Sequence, residues 1–248
     1  MSRMRLLVLL GALLWVTHPS RAEAEWFVDL YAGKSFTLDA DLKIDQPANN
    51  SRYTVEEVSF SDKSFTDPPY YGVRAGYFLE SYPPLGFALE FFHFKILAET
   101  GDSRRFVGTR TGAAINTVQP INTAIQRFDV SHGVNYLTVD AIFRNPMFAD
   151  KERFPKGRAQ LYVGVGPGVV IAHPENVVEG VRNNEEYQIG GFGVQAFVGA
   201  KVLLLQYLGT FVEYKFSHSR LKVDLSTGDA KVHENTHHLV FGITVPFR

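Results

Sequence analysis

Hydrophobic and polar side chains alternate with a period of two along most of the chain after residue 25. This period is typical of β-strands, because successive side chains on a strand point to opposite faces. No helical period competes with it, and the nearest candidate, 111–128, is interrupted by Pro120. Eight runs are predicted as strands: 26–38, 70–80, 86–97, 132–143, 159–171, 190–204, 209–223 and 236–247.

The connections between these runs alternate in length. Those after the first, third, fifth and seventh runs are long and span 39–69, 98–131, 172–189 and 224–235. The others span 81–85, 144–158 and 205–208, and two of the three are tight. An even number of strands, with long connections at one end and mostly short ones at the other, is typical of a bacterial outer-membrane barrel.

The two faces of the predicted strands differ in chemistry. In the last run, one face carries Leu239, Phe241, Ile243, Val245 and Phe247, and the other carries His238, Val240, Gly242, Thr244 and Pro246. Glycine is a poor choice for an exposed strand face, whereas small residues are needed inside a narrow eight-stranded barrel. The sequence therefore predicts an eight-stranded antiparallel transmembrane β-barrel, an up-and-down meander with four long extracellular loops.

Aromatic residues, 20 Phe and 11 Tyr among them, are placed at both ends of the predicted strands. Near the short connections lie Trp26, Tyr77, Phe87, Phe143, Tyr207 and Phe247, and near the long ones Phe36, Tyr70, Tyr71, Phe94 and Phe216. Aromatic girdles at the two interfaces of a membrane are expected for such barrels.

The first 24 residues have the pattern of a secretory signal peptide. Arg3 and Arg5 precede an apolar run from Leu6 to Val16, and Ala22-Glu23-Ala24 supplies a small-x-small cleavage pattern. The apolar run is too short to cross a bilayer as a helix. We therefore expect a signal peptide at 1–24 and a barrel domain at 25–248, exported through the inner membrane to the outer membrane.

Composition narrows the range of functions. The 248 residues include no cysteine, which excludes a disulfide scaffold and any cysteine-ligated zinc or iron–sulfur site. The formal net charge is −1, without the basic excess typical of a nucleic-acid-binding protein.

Several segments resemble the OmpA-type, opacity-protein-like family of small outer-membrane β-barrels. These are Trp26–Gly33 (WFVDLYAG), Tyr71–Phe78 (YGVRAGYF), Phe211–Phe216 (FVEYKF) and the last strand ending at Phe247. The resemblance implies that the terminal aromatic strand, with Phe247, is a recognition signal for the barrel-insertion machinery. Arg248 after that aromatic residue departs from the usual terminal Phe.

Charged residues on the inward face are the strongest candidate for a site. By alternation the expected lumen charge network comprises Arg74, Glu90, Asp140, Lys201, Glu213 and Lys215, with Asp29 as a further member. Buried charges must be paired, and Arg74 and Glu90 lie on adjacent predicted strands at similar distances from their shared turn. Such a network either plugs and stiffens the barrel, which we favour, or gates a narrow conducting path.

Three short motifs suggest chemistry that their context argues against. His233-Glu234-Asn235-Thr236-His237 matches a zinc-protease motif, but that motif needs a helix, and this segment opens a strand. Gly191-x-Gly193-x-x-Ala196 mimics a dinucleotide-binding fingerprint within a strand rather than before a helix. In Ser217-His218-Ser219 the adjacent side chains point to opposite faces. We therefore expect no catalytic residues, cofactor or metal; histidines 218, 233, 237 and 238 could bind metal adventitiously.

The function expected is a structural, envelope-integrity or surface-interaction role without catalysis. A narrow pore or small-solute transporter is the alternative, and a lipid A-modifying hydrolase is the second. The expected partners are outer-membrane lipids, lipopolysaccharide, the insertion machinery and an extracellular molecule bound through loops 39–69 and 98–131. Arginines in the second loop are candidates for binding lipopolysaccharide phosphates: Arg104, Arg105, Arg110 and Arg127.

Overall fold

A computed structural model describes residues 25–150, 152–183 and 185–247. The predicted signal peptide, 1–24, and Arg248 lie outside the described residues. Regular structure in the described ranges is β-strand, apart from two short 3-10 turns at Pro47–Asn49 and Ile121–Thr123. None of the described helical segments has the length and apolar character needed to cross a membrane.

The described residues form fifteen strands. They are β1 (Glu25–Thr37), β2 (Ala40–Gln46), β3 (Ser51–Val58), β4 (Phe60–Ser61), β5 (Tyr71–Phe78), β6 (Leu85–Ala98), β7 (Ser103–Arg110), β8 (Ala113–Pro120), β9 (Ile125–Met147), β10 (Ala159–Ala172), β11 (Glu175–Val178), β12 (Val181–Arg182), β13 (Gln188–Leu205), β14 (Leu208–Leu225) and β15 (Gly228–Phe247). The prediction of an all-β fold is confirmed.

Eight of the strands form what we call the ring, in the order β1-β5-β6-β9-β10-β13-β14-β15. Every neighbouring pair is antiparallel. The last strand also pairs with the first, from Trp26 opposite Phe247 to Thr37 opposite Thr236. These eight strands correspond to the eight predicted runs, although β9 and β13–β15 extend further than predicted.

The predicted long loops are not confirmed, because much of their length is strand. β2, β3, β7 and β8 lie within 39–69 and 98–131, and they pair in the order β15-β2-β3-β7-β8. Within 172–189, β11 pairs with both β9 and β12. The segment 224–235 is the top of the β14–β15 hairpin, whose pairing continues to Leu225 and Gly228.

These added strands form what we call the cap, together with 125–130 of β9, 219–225 of β14 and 228–234 of β15. Much of its interior is apolar and buried, and includes Leu42, Ile44, Tyr53, Val55, Phe106, Phe128, Leu221, Val223, Ala230 and Val232. Burial of this apolar surface stabilises the cap in the way that it stabilises the core of a water-soluble domain. The ring beneath it has a polar interior.

Candidate functional site

Arg74 lies at the centre of the ring interior. On β5 it is opposite Asp29 of β1 and Glu90 of β6, so strand register alone places these residues side by side. Its guanidinium donates to both oxygens of Glu90 at 3.1 and 3.0 Å, and to both oxygens of Glu213 at 2.9 Å each. Two bidentate pairs on one guanidinium use four of its five N–H donors.

Lys215 is the second cation of this centre. Its ammonium lies 2.5 Å from Glu90 Oε1 and 3.7 Å from Glu213 Oε1. Tyr31 donates to Glu90, and Tyr162 donates to Glu213 Oε2 at 2.9 Å. Both glutamates therefore accept hydrogen bonds from neutral and charged donors, as a buried carboxylate requires.

The remaining members lie on two sides of this centre. Lys201 pairs with Asp29 at 3.0 Å. Gln195 donates through Nε2 to Glu90 at 2.7 Å and to Asp140 at 2.8 Å. The structure thus brings together all six residues singled out in the sequence, with Asp29 as a seventh. We call these seven residues the lumen network, and none of them is more than 8% exposed.

Charge in the lumen network is not balanced one to one. It contains three basic side chains and four carboxyl groups, Asp29, Glu90, Asp140 and Glu213. Asp140 is the least compensated, because its Oδ2 has no hydrogen-bond partner and the nearest atom of Arg74 is 3.9 Å away. Removal of the Asp140 charge should therefore be tolerated far better than removal of a cation.

Aromatic rings fill the space around the cations. The Phe197 ring centre lies 4.3 Å from Arg74 Cζ, and the Phe92 ring centre lies 4.1 Å from Lys215 Nζ. Glycine on a neighbouring strand makes room for such side chains: a Cβ added at Gly72 would collide with the Tyr31 ring. The alternation of glycine with large inward residues thus follows from the narrow interior.

A second polar cluster lies above the lumen network, and it joins residues of motifs that the sequence analysis treats separately. Glu234 is 1% exposed and accepts hydrogen bonds from Ser217 at 3.1 Å, Ser219 at 3.0 Å and Tyr136. His238 Nε2 lies 2.9 Å from Ser217 Oγ. Strand parity with Glu213 and Lys215 could have identified Ser217 and Ser219 as inward-facing.

This second cluster bears on the zinc-protease motif and on the hydrolase alternative. Because 233–237 lies in β15, Glu234 points inward while His233 is exposed on the other face. Ser217 and His238 have the separation of a nucleophile and a base, but both are fully buried. Glu234 contacts Ser217, and His238 Nδ1 has no hydrogen-bond partner among the described residues to orient the ring.

Two of the aromatic residues predicted for the outer girdle point inward instead. Tyr70 is 2% exposed and Phe94 is 1% exposed, and both rings pack against His238. For Phe94 the reason is strand parity, since Glu90 and Phe92 on the same face of β6 are also inward. Phe36 and Tyr71 are about half exposed, as expected for that end of the ring.

Most of the arginines considered for phosphate binding are paired with carboxylates of the chain. Arg110 lies 2.8 Å from Glu179, Arg104 lies 3.0 Å from Asp102, and Arg127 lies 2.6 Å from Asp129. Arg105 instead donates to the side-chain oxygen of Asn116 at 2.9 Å. A phosphate would have to displace these partners from the first three.

Comparisons with known proteins find structural likeness only. No family model matches the chain, and no curated protein matches it. Neisserial surface protein A is 10% identical, with a TM-score of 0.43, over 92% of this chain and 100% of that one. OprG, an outer membrane protein from Pseudomonas aeruginosa, is 10% identical with a TM-score of 0.46 over 92% and 97%. The outer membrane protein AlkL is 13% identical with a TM-score of 0.45 over 94% of each chain.

Proposed function

We propose that the protein is a bacterial outer-membrane β-barrel whose ring spans the bilayer with a closed lumen. Its role is structural or surface-interacting, and it is not an enzyme. One observation carries the proposal: every strand of the ring exposes large apolar side chains on its outer face while charged and polar side chains are buried inside.

The last strand illustrates the outer face. Leu239, Phe241 and Ile243 are 52%, 54% and 47% exposed, whereas Val240 between them is fully buried. Comparable exposed residues on the other strands include Leu30, Val73, Leu89, Val139, Val163, Val198 and Val212. A continuous apolar band of this extent is unfavourable in water and matches the hydrocarbon core of a membrane.

A closed lumen follows from the way the interior is filled. One bidentate ion pair, Arg74–Glu213, crosses it from β5 to β14, and rings such as Phe92 and Phe197 pack around the cations. An ion moving through this section would have to separate buried pairs that are costly to break. This filling supports a rigid plug over a narrow pore or small-solute transporter.

The two ends of the ring then have different roles. The end with the short connections faces the periplasm, where Phe247, opposite Trp26, serves as the assembly signal for the insertion machinery. The cap faces the outside, where its polar surface contacts lipopolysaccharide and any extracellular partner. The surface from 39–69 and 98–131 is structured by strand pairing, so a partner would meet a sheet rather than mobile loops.

Planar-bilayer recording of the purified full chain tests this function. We expect no steady single-channel steps from the wild type or from the cap variant Lys222→Ala. Steady wild-type steps that change in Arg74→Ala would contradict the closed lumen and support the pore. Lipid A from cells expressing the protein is expected to keep its mass; a shortened lipid A that depends on His238 would establish the hydrolase instead.

A further inference from the structure

His132, His173 and Glu175 converge at the edge where the ring meets the cap. His132 is on β9, Glu175 opens β11, and His173 lies in the short link between β10 and β11. β9 pairs with both other strands, with Val134 opposite Ala172 and Asp129 opposite Glu175. The backbone amide of His173 donates to the carbonyl of Gly133 at 3.2 Å. Strand pairing therefore fixes the backbone positions from which the three side chains converge.

The donor atoms of these three side chains lie within 4.8 Å of one another. His132 Nδ1 is 2.5 Å from Glu175 Oε1, and the two imidazole ring centres are 4.8 Å apart. His173 Nδ1 is buried and has no hydrogen-bond partner among the described residues. An ion pair between His132 and Glu175 explains the positions of two of the side chains, but it does not provide a partner for Nδ1 of His173.

We propose that His132, His173 and Glu175 bind a divalent transition-metal ion such as Zn²⁺. Two imidazoles and one carboxylate are a ligand set that suits zinc, nickel and ferrous iron. Ligand atoms about 2.0–2.2 Å from a metal are closer together than the largest separation found here. The His132 side chain is 55% exposed, so its ring is free to turn inward and close the difference.

Neighbouring residues orient the carboxylate. Ser131 donates to Glu175 Oε1, and Arg127 pairs with Oε2. Partners of this kind fix the geometry of a metal-binding carboxylate and are part of such sites.

Three protein ligands leave at least one coordination position for a water or another ligand. His132 also lines a cleft of about 540 Å³ whose other walls include Tyr71, Phe91, His93 and Tyr187. The ion would therefore lie at one edge of an aromatic-lined cleft. A small molecule with an oxygen or nitrogen donor for the ion and an apolar body for the cleft is the class of ligand that would fit this site.

The test is titration of the purified, tag-free full chain in detergent with Zn²⁺ and with Co²⁺. We expect one saturable ion per chain by calorimetry and visible absorption bands from bound Co²⁺. His132→Ala and His173→Ala should each weaken binding at least about tenfold, since each removes one ligand. His218→Ala is the matched control, because its ring lies near another histidine, His233, at 6.2 Å, but away from this cluster.

Glu175→Gln keeps the volume of the side chain and guards against misfolded variants. It should also weaken binding at least about tenfold, with an unchanged circular dichroism spectrum. The proposal is overturned if the wild type binds no ion stoichiometrically, or if the three variants bind as tightly as the wild type. A loss of binding in His218→Ala alone would place the ion at the β14–β15 hairpin and would equally overturn it.

Discussion

The ring and the cap use the same strands with opposite chemistry. In the lower part of β14 the inward residues Glu213 and Lys215 are charged and the outward Val212 is apolar and half exposed. In the upper part of the same strand the inward residues Leu221 and Val223 are apolar and buried. Their outward neighbours there, Arg220 and Lys222, are exposed to solvent.

The direction of the side chains does not change between these two parts. Odd-numbered residues of β14 point inward from Glu213 to Leu225, and pairing with β15 runs through both parts without a shift in register. What changes is the chemistry of the two faces, which is charged inward and apolar outward in the lower part and the reverse in the upper part. The polarity of the inward face therefore marks the proposed boundary between membrane and water, which lies near Ser217 and Ser219.

The largest effect should come from a cation of the ring. Arg74→Ala leaves Glu90 and Glu213 without their bidentate partner, and we expect a loss of about 3–5 kcal/mol in the free energy of unfolding. Asp140→Asn removes one of the negative charges, which outnumber the positive ones, and keeps an oxygen facing Gln195. We therefore expect the free energy of unfolding to change by less than about 1 kcal/mol. Urea titration in lipid vesicles measures both. Equal losses would mean that the lumen network does not act as a charge-paired unit.

The second effect concerns the outer face of β14. Val212→Lys places a charge on the proposed lipid-facing side and should cost about 2–4 kcal/mol in vesicles. Lys222→Val, ten residues further along the same face, should change the free energy by no more than about 0.5 kcal/mol. The same titration compares them. A harmless Val212→Lys would show that this face of the ring is in water, since Val212 is already exposed.

The smallest effect belongs to the cap surface. Partial burial raises the pKa of Asp229, but the ammonium groups of Lys231 at 2.9 Å and Lys222 at 3.4 Å outweigh it and hold the pKa below its usual range. The pairs therefore contribute stability above the ordinary pKa of about 3.9, and this is lost as the pH falls through the lower folded value. We expect the free energy of unfolding of the wild type to exceed that of Asp229→Asn by about 0.5 kcal/mol near neutral pH. This difference should become smaller in acid. A difference that stays constant with pH would argue against the ion pairs.

The ring could be predicted from the sequence because its strands are long and their faces differ strongly. Strand parity alone predicts that Arg74, Glu90 and Glu213 face inward and that Arg74 lies beside Glu90, but it does not predict the Arg74–Glu213 pair across the ring. The cap strands were missed because they are short and carry charges on their outer face, as in the segment from Leu42 to Asp45, where Leu42 and Ile44 are the only apolar residues. Their alternation is the ordinary pattern of a half-buried sheet, but in so short and charged a segment it does not distinguish a strand from a polar loop.

The proposed metal site could not be predicted in the same way. His173 and Glu175 are two residues apart, but Glu175 lies 43 residues after His132, and the two segments meet because Glu175 pairs opposite Asp129 in a strand within a predicted loop. His173 and Glu175 have no motif spacing with His132 that a local pattern would reveal. The residues of the His-Glu-x-x-His segment are close in sequence, but in a strand His233 and Glu234 point to opposite faces.

β15 is the strand through which both the ring and the cap are closed. Its upper part pairs with β2 of the cap and its lower part with β1, while its other edge pairs with β14 throughout. Neither the ring nor the cap can therefore close before β15 has paired with β1 and β2, and contacts of such sequence separation form slowly. Until then β1, β2 and β14 are open edges available to other chains. Truncation within β15 should thus yield aggregates rather than a shortened folded protein.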